Sequence, residues 1–340
     1  MQNVAVIDLV KLRQNAISIK ESLPTGVKFI AVVKADGYGH GAEEVANAIH
    51  DVADCFAVAL IEEALSLRYA GVEKDILVLI PPVKGDIERS VDNDLTMATD
   101  DYSLIEEVNF IARSKKKIAK IELVVDTGMN RFGFNPKDLI SSLSKIKRLE
   151  HISVRGVFSH FFQAENLISR HKQSKIFSDT EKFVKEYFPL ALSHISASGG
   201  FLKGEYFDAV RIGILLYGYY PFKVNQKKFS VSPVMSVYSQ VVKDGVIKTG
   251  EHLLYGSYSV KEDAEYSLVR YGYADGLPRK QSDLTLNNRC MDVSAVKKRT
   301  KSKFFCILSQ NADEIAKKYD TISYEVLTSV AKRANRVYLR

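Results

Sequence analysis

FIAVVKADGYGHGAEEV, Phe29–Val45, sets five apolar residues against a lone lysine, Lys34, and follows it with Gly37, Gly39 and Gly41 before a helical run begins. An unbroken apolar run reads as a strand covered on both faces, and such strands belong to parallel sheets. The pattern recurs: CFAVAL (55–60), DILVLI (75–80), LTMAT (95–99), IELVVDT (121–127), SVRGVFSH (153–160), LSHISAS (192–198) and DAVRIGI (208–214). Between these runs lie stretches with 3.6-residue spacing, such as GAEEVANAIHD and SRHKQSKIFSDTEKFVKEYF. Eight strands alternating with helices predict an α/β fold with a (β/α)8 barrel of the TIM type rather than an open sheet.

The opening segment, VAVIDLVKLRQNAISIKESL, adds one strand-helix pair ahead of the barrel. After LLYGYYPF (215–222) the texture changes. VMSVYSQVVKDGVIKTGEHLLYG (234–256) alternates apolar and polar residues and is read as antiparallel strands turning at Gly245 and Gly250. Helical spacing returns over 313–333. The expected organisation is therefore a barrel over 1–225 and a smaller, mainly β domain over 226–340.

The 340 residues exceed the usual size of one core, and 46% apolar with 26% charged residues describe an ordinary globular chain. No apolar run approaches the length of a membrane span, and the N-terminus lacks the h-region of a signal peptide. Three cysteines, Cys55, Cys290 and Cys306, in dissimilar contexts favour a reducing cytoplasm and argue against a structural metal site. The net charge of +7 raises nucleic acid as a partner, but its densest pieces, RSKKKIAK (113–120) and KKRTKSK (297–303), are short and read as solvated surface. The glycines after Lys34 are spaced G-x-G-x-G, which is not the dinucleotide fingerprint.

In such a barrel the active site lies at the C-terminal ends of the strands. There the sequence places Lys34, Asp126 with Arg131 beyond it, His160, His194 with Ser198, and Arg211 followed by Gly213. A lysine in a poorly solvated site is a nucleophilic amine. SASGG (196–200) and RIGI (211–214) are small-residue turns at the ends of the last two strands, where barrels often hold phosphate. A lysine for an aldehyde beside a phosphate cradle points to pyridoxal 5'-phosphate.

These residues resemble the alanine racemases, the fold-type III pyridoxal-phosphate enzymes. The likeness rests on AVVKADGYGHGA, DTGMNRFGF (126–134), GVFSHFFQAEN (156–166), VRIGILLYGYYP (210–221), YGYADGLPR (271–279), CMD (290–292) and TISYEVL (321–327), in that order. The resemblance implies that Lys34 holds the cofactor through its amine and is one catalytic base, and that Tyr273 is the opposite base, supplied across a head-to-tail homodimer. It implies that Arg211 faces the pyridine nitrogen and that Tyr38, Ser198, Gly213, Ile214 and Tyr324 bind phosphate. It implies further that His160 joins a Tyr273–Arg211 network, and that Arg131 and Met291 receive the substrate carboxylate. The implied reaction is interconversion of L- and D-alanine, supplying D-alanine for peptidoglycan. Removal of the Cα proton from one face and return to the other requires two bases.

Three departures stand out. Val124 occupies a position where many members have a lysine, and Asn288 one where an entryway arginine is common. The stretch 280–289, between GLPR and CMD, is short for the family. Alternative readings are a broader racemase that takes serine, a related lyase or decarboxylase, or a weakened binder of the cofactor that has lost the opposite base. The tyrosine of YGYADG speaks against the lyase.

Overall fold

The computed structural model describes residues 3–224, 230–255, 261–280, 285–297 and 302–340. The chain begins with β1 (Val4–Asp8), and each of the eight apolar runs then contributes a strand. These are β2 (Lys28–Val32), β3 (Cys55–Val58), β4 (Ile76–Val78), β5 (Thr96–Thr99), β6 (Ala119–Val124), β7 (Ile152–Phe158), β8 (Leu192–His194) and β9 (Ala209–Ile212). They pair in parallel in the order β9-β2-β3-β4-β5-β6-β7-β8. Just beyond β8, Ala197 forms a parallel bridge with Arg211, and the Arg211 N–H donates to Ser196 O at 2.9 Å. That bridge closes the sheet into the predicted barrel.

The crossover helices begin where short polar side chains cap them. Asp8, Asp101, Asn135 and Asn166 each accept from a backbone N–H of the helix they precede, at 2.8–3.0 Å. Pro136 occupies the first turn after Asn135, where its missing N–H costs nothing.

The second sheet is built from β10 (Met235–Ile247), β11 (Ala264–Val269), β12 (Ser294–Lys297), β13 (Phe304–Ser309) and β14 (Asn335–Leu339). Its order is β12-β11-β10-β1-β14, with β13 also on β10. The first strand of the chain thus lies in this sheet, antiparallel to β10 and parallel to β14. The expected domain boundary near residue 225 and most of KKRTKSK lie outside the described residues.

One local expectation is corrected. Gly245 does not turn the chain; it sits within β10 opposite Tyr266, and a Cβ there would stand 2.7 Å from the tyrosine ring. The glycine makes room for an aromatic neighbour across the strand pair. Gly250, at φ 87°, does turn. The helical spacing over 313–333 resolves into two helices, Ala312–Lys318 and Ser323–Val330. They part at Asp320, whose φ of 54° is a left-handed conformation that aspartate tolerates better than most residues.

One buried apolar cluster runs without a break from Phe29 and Phe56 in the barrel, through Leu215 and Tyr217, to Ile7, Val237 and Leu308 in the second sheet. His40 is enclosed in it. Its ring stacks on Tyr217 at 4.5 Å, and its Nδ1 lies 3.0 and 2.9 Å from the carbonyls of Gly37 and Tyr38. The proton therefore sits on Nδ1, and Nε2 is buried without a partner among the described residues. Burial lowers the imidazole to about 4.

Ile7→Ala, which hollows the fully buried inner face of β1, is expected to cost about 2–5 kcal/mol in urea denaturation. A loss below about 0.5 kcal/mol, the scale of surface changes, would show that β1 does not hold the sheets together. His40 predicts an acid dependence. Unfolding raises its imidazole from about 4 to 6.5, so the unfolded chain takes up a proton between those values. Stability contributed by the neutral ring is complete above pH 6.5 and falls as pH drops toward 4. His40→Gln should flatten that part of the stability–pH curve; an unaltered slope would refute the assignment.

Candidate active site

β2 ends at Val32, two residues before Lys34, and the backbone then takes a left-handed turn that few sequences permit. Ala35, Asp36, Gly37 and Tyr38 have φ between 51° and 60°. The three non-glycine residues among these four, Ala35, Asp36 and Tyr38, are strained, and outside contacts hold them. The Glu63 carboxylate accepts from the Ala35 N–H at 2.6 Å and from the Ala59 and Leu60 N–H groups. Asp36 accepts from the Ala42 N–H and pairs with Arg336 of β14 at 2.6 Å, while the Arg336 Nε–H donates to Gly39 O. A Cβ on Gly39 would stand 2.4 Å from Leu327 O, and one on Gly41 would collide with the Tyr338 hydroxyl. The glycines are required because the C-terminal helix and β14 press directly on the turn. The Lys34 amine is lowered, first by burial and then by the cations Arg131 and Arg211.

The turn puts Tyr38 indoors. Its ring lies 4.8 Å from Tyr217 and 5.9 Å from Tyr324, and its hydroxyl abuts Gly213, where a Cβ would be 2.3 Å away. Burial raises the phenol well above its usual value and pushes Tyr324 up to about 12. Both phenols are therefore neutral hydrogen-bond donors near neutrality. Ser198 opens a short helix, and its Oγ is buried without a partner among the described residues. Ile214 is buried next to Gly213. An orphaned hydroxyl, a phenol and a stretch of bare backbone together suit a phosphate group.

Arg211 lies inside the barrel, 3% exposed. One terminal nitrogen, Nη2, donates to Ser159 O at 2.6 Å and faces Ile195 O and His160 Nδ1 at 3.3 Å. The other, Nη1, donates to His194 O at 3.1 Å and to His194 Nδ1. Among the described residues, Nε–H is the donor left without a protein acceptor. Phe158 stacks beneath the guanidinium at 5.1 Å. Burial lowers Arg211 to about 10, with Glu122 pulling it back up, so it stays charged at neutrality. His160 is lowered to about 3 by burial and by the surrounding cations, and is neutral.

Arg131 follows β6 on a loop held by Asp126, whose carboxylate accepts from the N–H groups of Gly128, Met129 and Asn130. Val124 is buried and offers Arg131 no charge. The contact its guanidinium makes among the described residues is with the Phe132 ring, at 5.8 Å.

Tyr273 and Met291 come together, but on the outside of the second domain. The Tyr273 N–H donates to Cys290 O and the Ala274 N–H to Met291 O, both at 3.0 Å. Their side chains are 38% and 54% exposed. Among the described residues, no hydrogen bond, ion pair or ring contact joins either side chain to Lys34. Residues 281–284 of the shortened stretch lie outside the described residues.

The sequence reading passed over Glu122. Its Oε2 lies 2.9 Å from His194 Nε2, both groups buried. The available signal was a carboxylate in the middle of the apolar run IELVV, which a barrel interior accepts only when the charge has a partner.

Residues 7–221 match the alanine racemase N-terminal domain and residues 234–338 the alanine racemase C-terminal domain. The alanine racemase of Clostridium novyi is 33% identical over 370 residues, 99% of this chain and 95% of that protein. Among solved structures, the alanine racemase of Clostridium difficile 630 superposes with a TM-score of 0.94 at 30% identity, covering 100% of this chain and 96% of the other. The alanine racemase of Bartonella henselae, solved with covalently bound pyridoxal phosphate, gives a TM-score of 0.88 at 26% identity over 100% of each chain. With both family domains matched along nearly the whole chain and both sheets in place, this isomerase belongs to the alanine racemase family.

Proposed function

We propose that the chain interconverts L- and D-alanine with pyridoxal 5'-phosphate bound at the barrel mouth, at a site completed by a second copy of the chain. The observation that carries the reading is the convergence on one barrel end of the lowered Lys34 amine, the unpartnered Ser198 hydroxyl and the free Nε–H of Arg211. These suit, in turn, the aldehyde, the phosphate and the ring nitrogen. When bound, the cofactor supplies the electron withdrawal that acidifies the alanine Cα–H.

The chain's own residues supply the rest. Lys34, poised toward the neutral amine, carries a proton to and from Cα on one face. Arg211 remains protonated, so it donates to the ring nitrogen without transferring its proton. That arrangement restrains the electron sink and favours return of a proton to Cα over side reactions. Tyr38, Tyr324, Ser198 and the Gly213–Ile214 backbone hold the phosphate, and Arg131 takes the substrate carboxylate.

Tyr273 is the second base, reaching the site of a second copy together with Met291. Its support is the exposed pair itself. A Cβ on Gly272 would stand 2.0 Å from Met291 O, so the two residues are fixed against each other while both face outward. A homodimer with shared sites gives them a target. The product is D-alanine for peptidoglycan.

Proton NMR in heavy water, with the cofactor and L-alanine or L-serine, tests the reading directly. Loss of the Cα signal with D-alanine appearing is the expected result. Tyr273→Phe should slow racemisation by about 10²–10⁴-fold while leaving cofactor binding intact. A bound cofactor with no Cα exchange in the wild-type protein would overturn the racemase reading and favour a binder that has lost its chemistry; equal exchange of serine would broaden the substrate. Gly213→Val, which drives a side chain into the Tyr38 hydroxyl, should weaken cofactor affinity by at least about ten-fold in a fluorescence titration. Unaltered affinity would place the phosphate elsewhere.

A further inference from the structure

Glu122 lies outside the set of residues that would touch cofactor or substrate, yet the barrel interior is arranged around it. β6 delivers its carboxylate, 6% exposed, across to β8, where Oε2 meets His194 Nε2 at 2.9 Å. On the next strand of the barrel, Gly156 leaves the necessary space; a Cβ there would stand 2.9 Å from the Glu122 carboxyl carbon. His194 is fully buried, and its ring lies flat against Phe158 at 5.2 Å with an interplanar angle of 6°. Its other nitrogen, Nδ1, faces Nη1 of Arg211.

Hydrogen-bond polarity decides what this chain of groups does. A guanidinium nitrogen can only donate, so His194 Nδ1 must present a lone pair. The imidazole proton is then on Nε2, and the acceptor it meets among the described residues is Glu122 Oε2. The charge of Glu122 offsets the buried charge of Arg211. With Nδ1 accepting, Nη1 and Nη2 are both engaged by the barrel wall, and Nε–H is left over.

We propose that Glu122 is a positioning residue for Arg211: it fixes His194 as the Nε2–H tautomer, which alone can anchor the guanidinium so that its Nε–H remains for the cofactor's ring nitrogen. The proposal rests on the role given to Arg211 above. Loss of the acceptor releases the tautomer, turns an Nδ1–H donor against a guanidinium donor, and shifts Arg211 relative to the cofactor. The neutral isostere glutamine still offers an Oε1 to the His194 Nε2–H, whereas leucine fills the space and offers nothing.

Nitrogen-15 NMR of histidine-labelled protein, with and without cofactor, is the deciding measurement. The wild-type protein is expected to show His194 protonated at Nε2 and bare at Nδ1 at neutral pH. Glu122→Leu should lose that state, shift the absorption maximum of the bound cofactor and weaken cofactor binding by about ten-fold, the scale on which outer partners of a liganding histidine act in metal sites. Glu122→Gln should restore the tautomer and the absorption maximum. A wild-type His194 that carries its proton on Nδ1, or on both nitrogens, overturns the proposal whether or not the leucine variant folds. So does a folded Glu122→Leu with an unchanged tautomer and cofactor spectrum, or a Glu122→Gln that behaves like leucine. None of these readouts requires turnover, so failure of the racemase reading would be seen separately, in the absence of Cα exchange.

Discussion

The buried guanidinium of Arg211 is the constraint around which the barrel is organised. An arginine taken out of water is tolerable only when its donors find partners, and here the carbonyls of Ser159, His194 and Ile195 take up its two terminal nitrogens. These carbonyls lie where the strands are ending; that of His194 also accepts the Ser159 N–H at 3.2 Å, and deeper in the sheet more of their capacity would go to ladder bonds. The Arg211 backbone, meanwhile, makes the bridge to Ala197 that closes the barrel. One residue thus closes the fold with its main chain and sets the electrostatics of the site with its side chain.

A second constraint comes from the other domain. The glycine-rich turn after Lys34 is strained, and it is held by Arg336 and Tyr338 of β14 and by the backbone at Leu327. The lysine is therefore aimed by both domains, although every residue of its own strand belongs to the barrel. This explains why the turn needs glycine at 39 and 41, which the local sequence alone does not reveal.

The barrel was legible because parallel strands buried on both faces leave unbroken apolar runs, and all eight of those runs became strands. The second sheet was legible only as alternating texture. Gly245 was misread as a turn because a glycine within a strand and a glycine at a corner look alike until the partner, Tyr266, is known. β1 was seen as a strand, but no local signal says that its partners are β10 and β14. In the site, Lys34, His160, Ser198 and Arg211 were readable as polar residues at the ends of apolar runs. Glu122 was not, because its meaning depends on a histidine 72 positions away. Tyr273 and Met291 carried no signal of their own beyond the family likeness, since exposed side chains acquire a role only against another surface.

The placement of β1 has a consequence for how the molecule comes into being. Val4 pairs with Tyr238 and with Asn335, so β1 waits for more than 230 further residues before its first partner exists, and its second partner follows nearly 100 residues later. Contacts of such separation form late and slowly. Until then β1 is an unpaired edge whose apolar residues, Ala5 and Ile7, would seek other company. The same late strand carries the arginine that clamps the lysine turn. A nascent chain can pair its barrel strands, but the turn after Lys34 stays unbraced until β14 arrives with Arg336, and a nick before β14 after folding would loosen that turn.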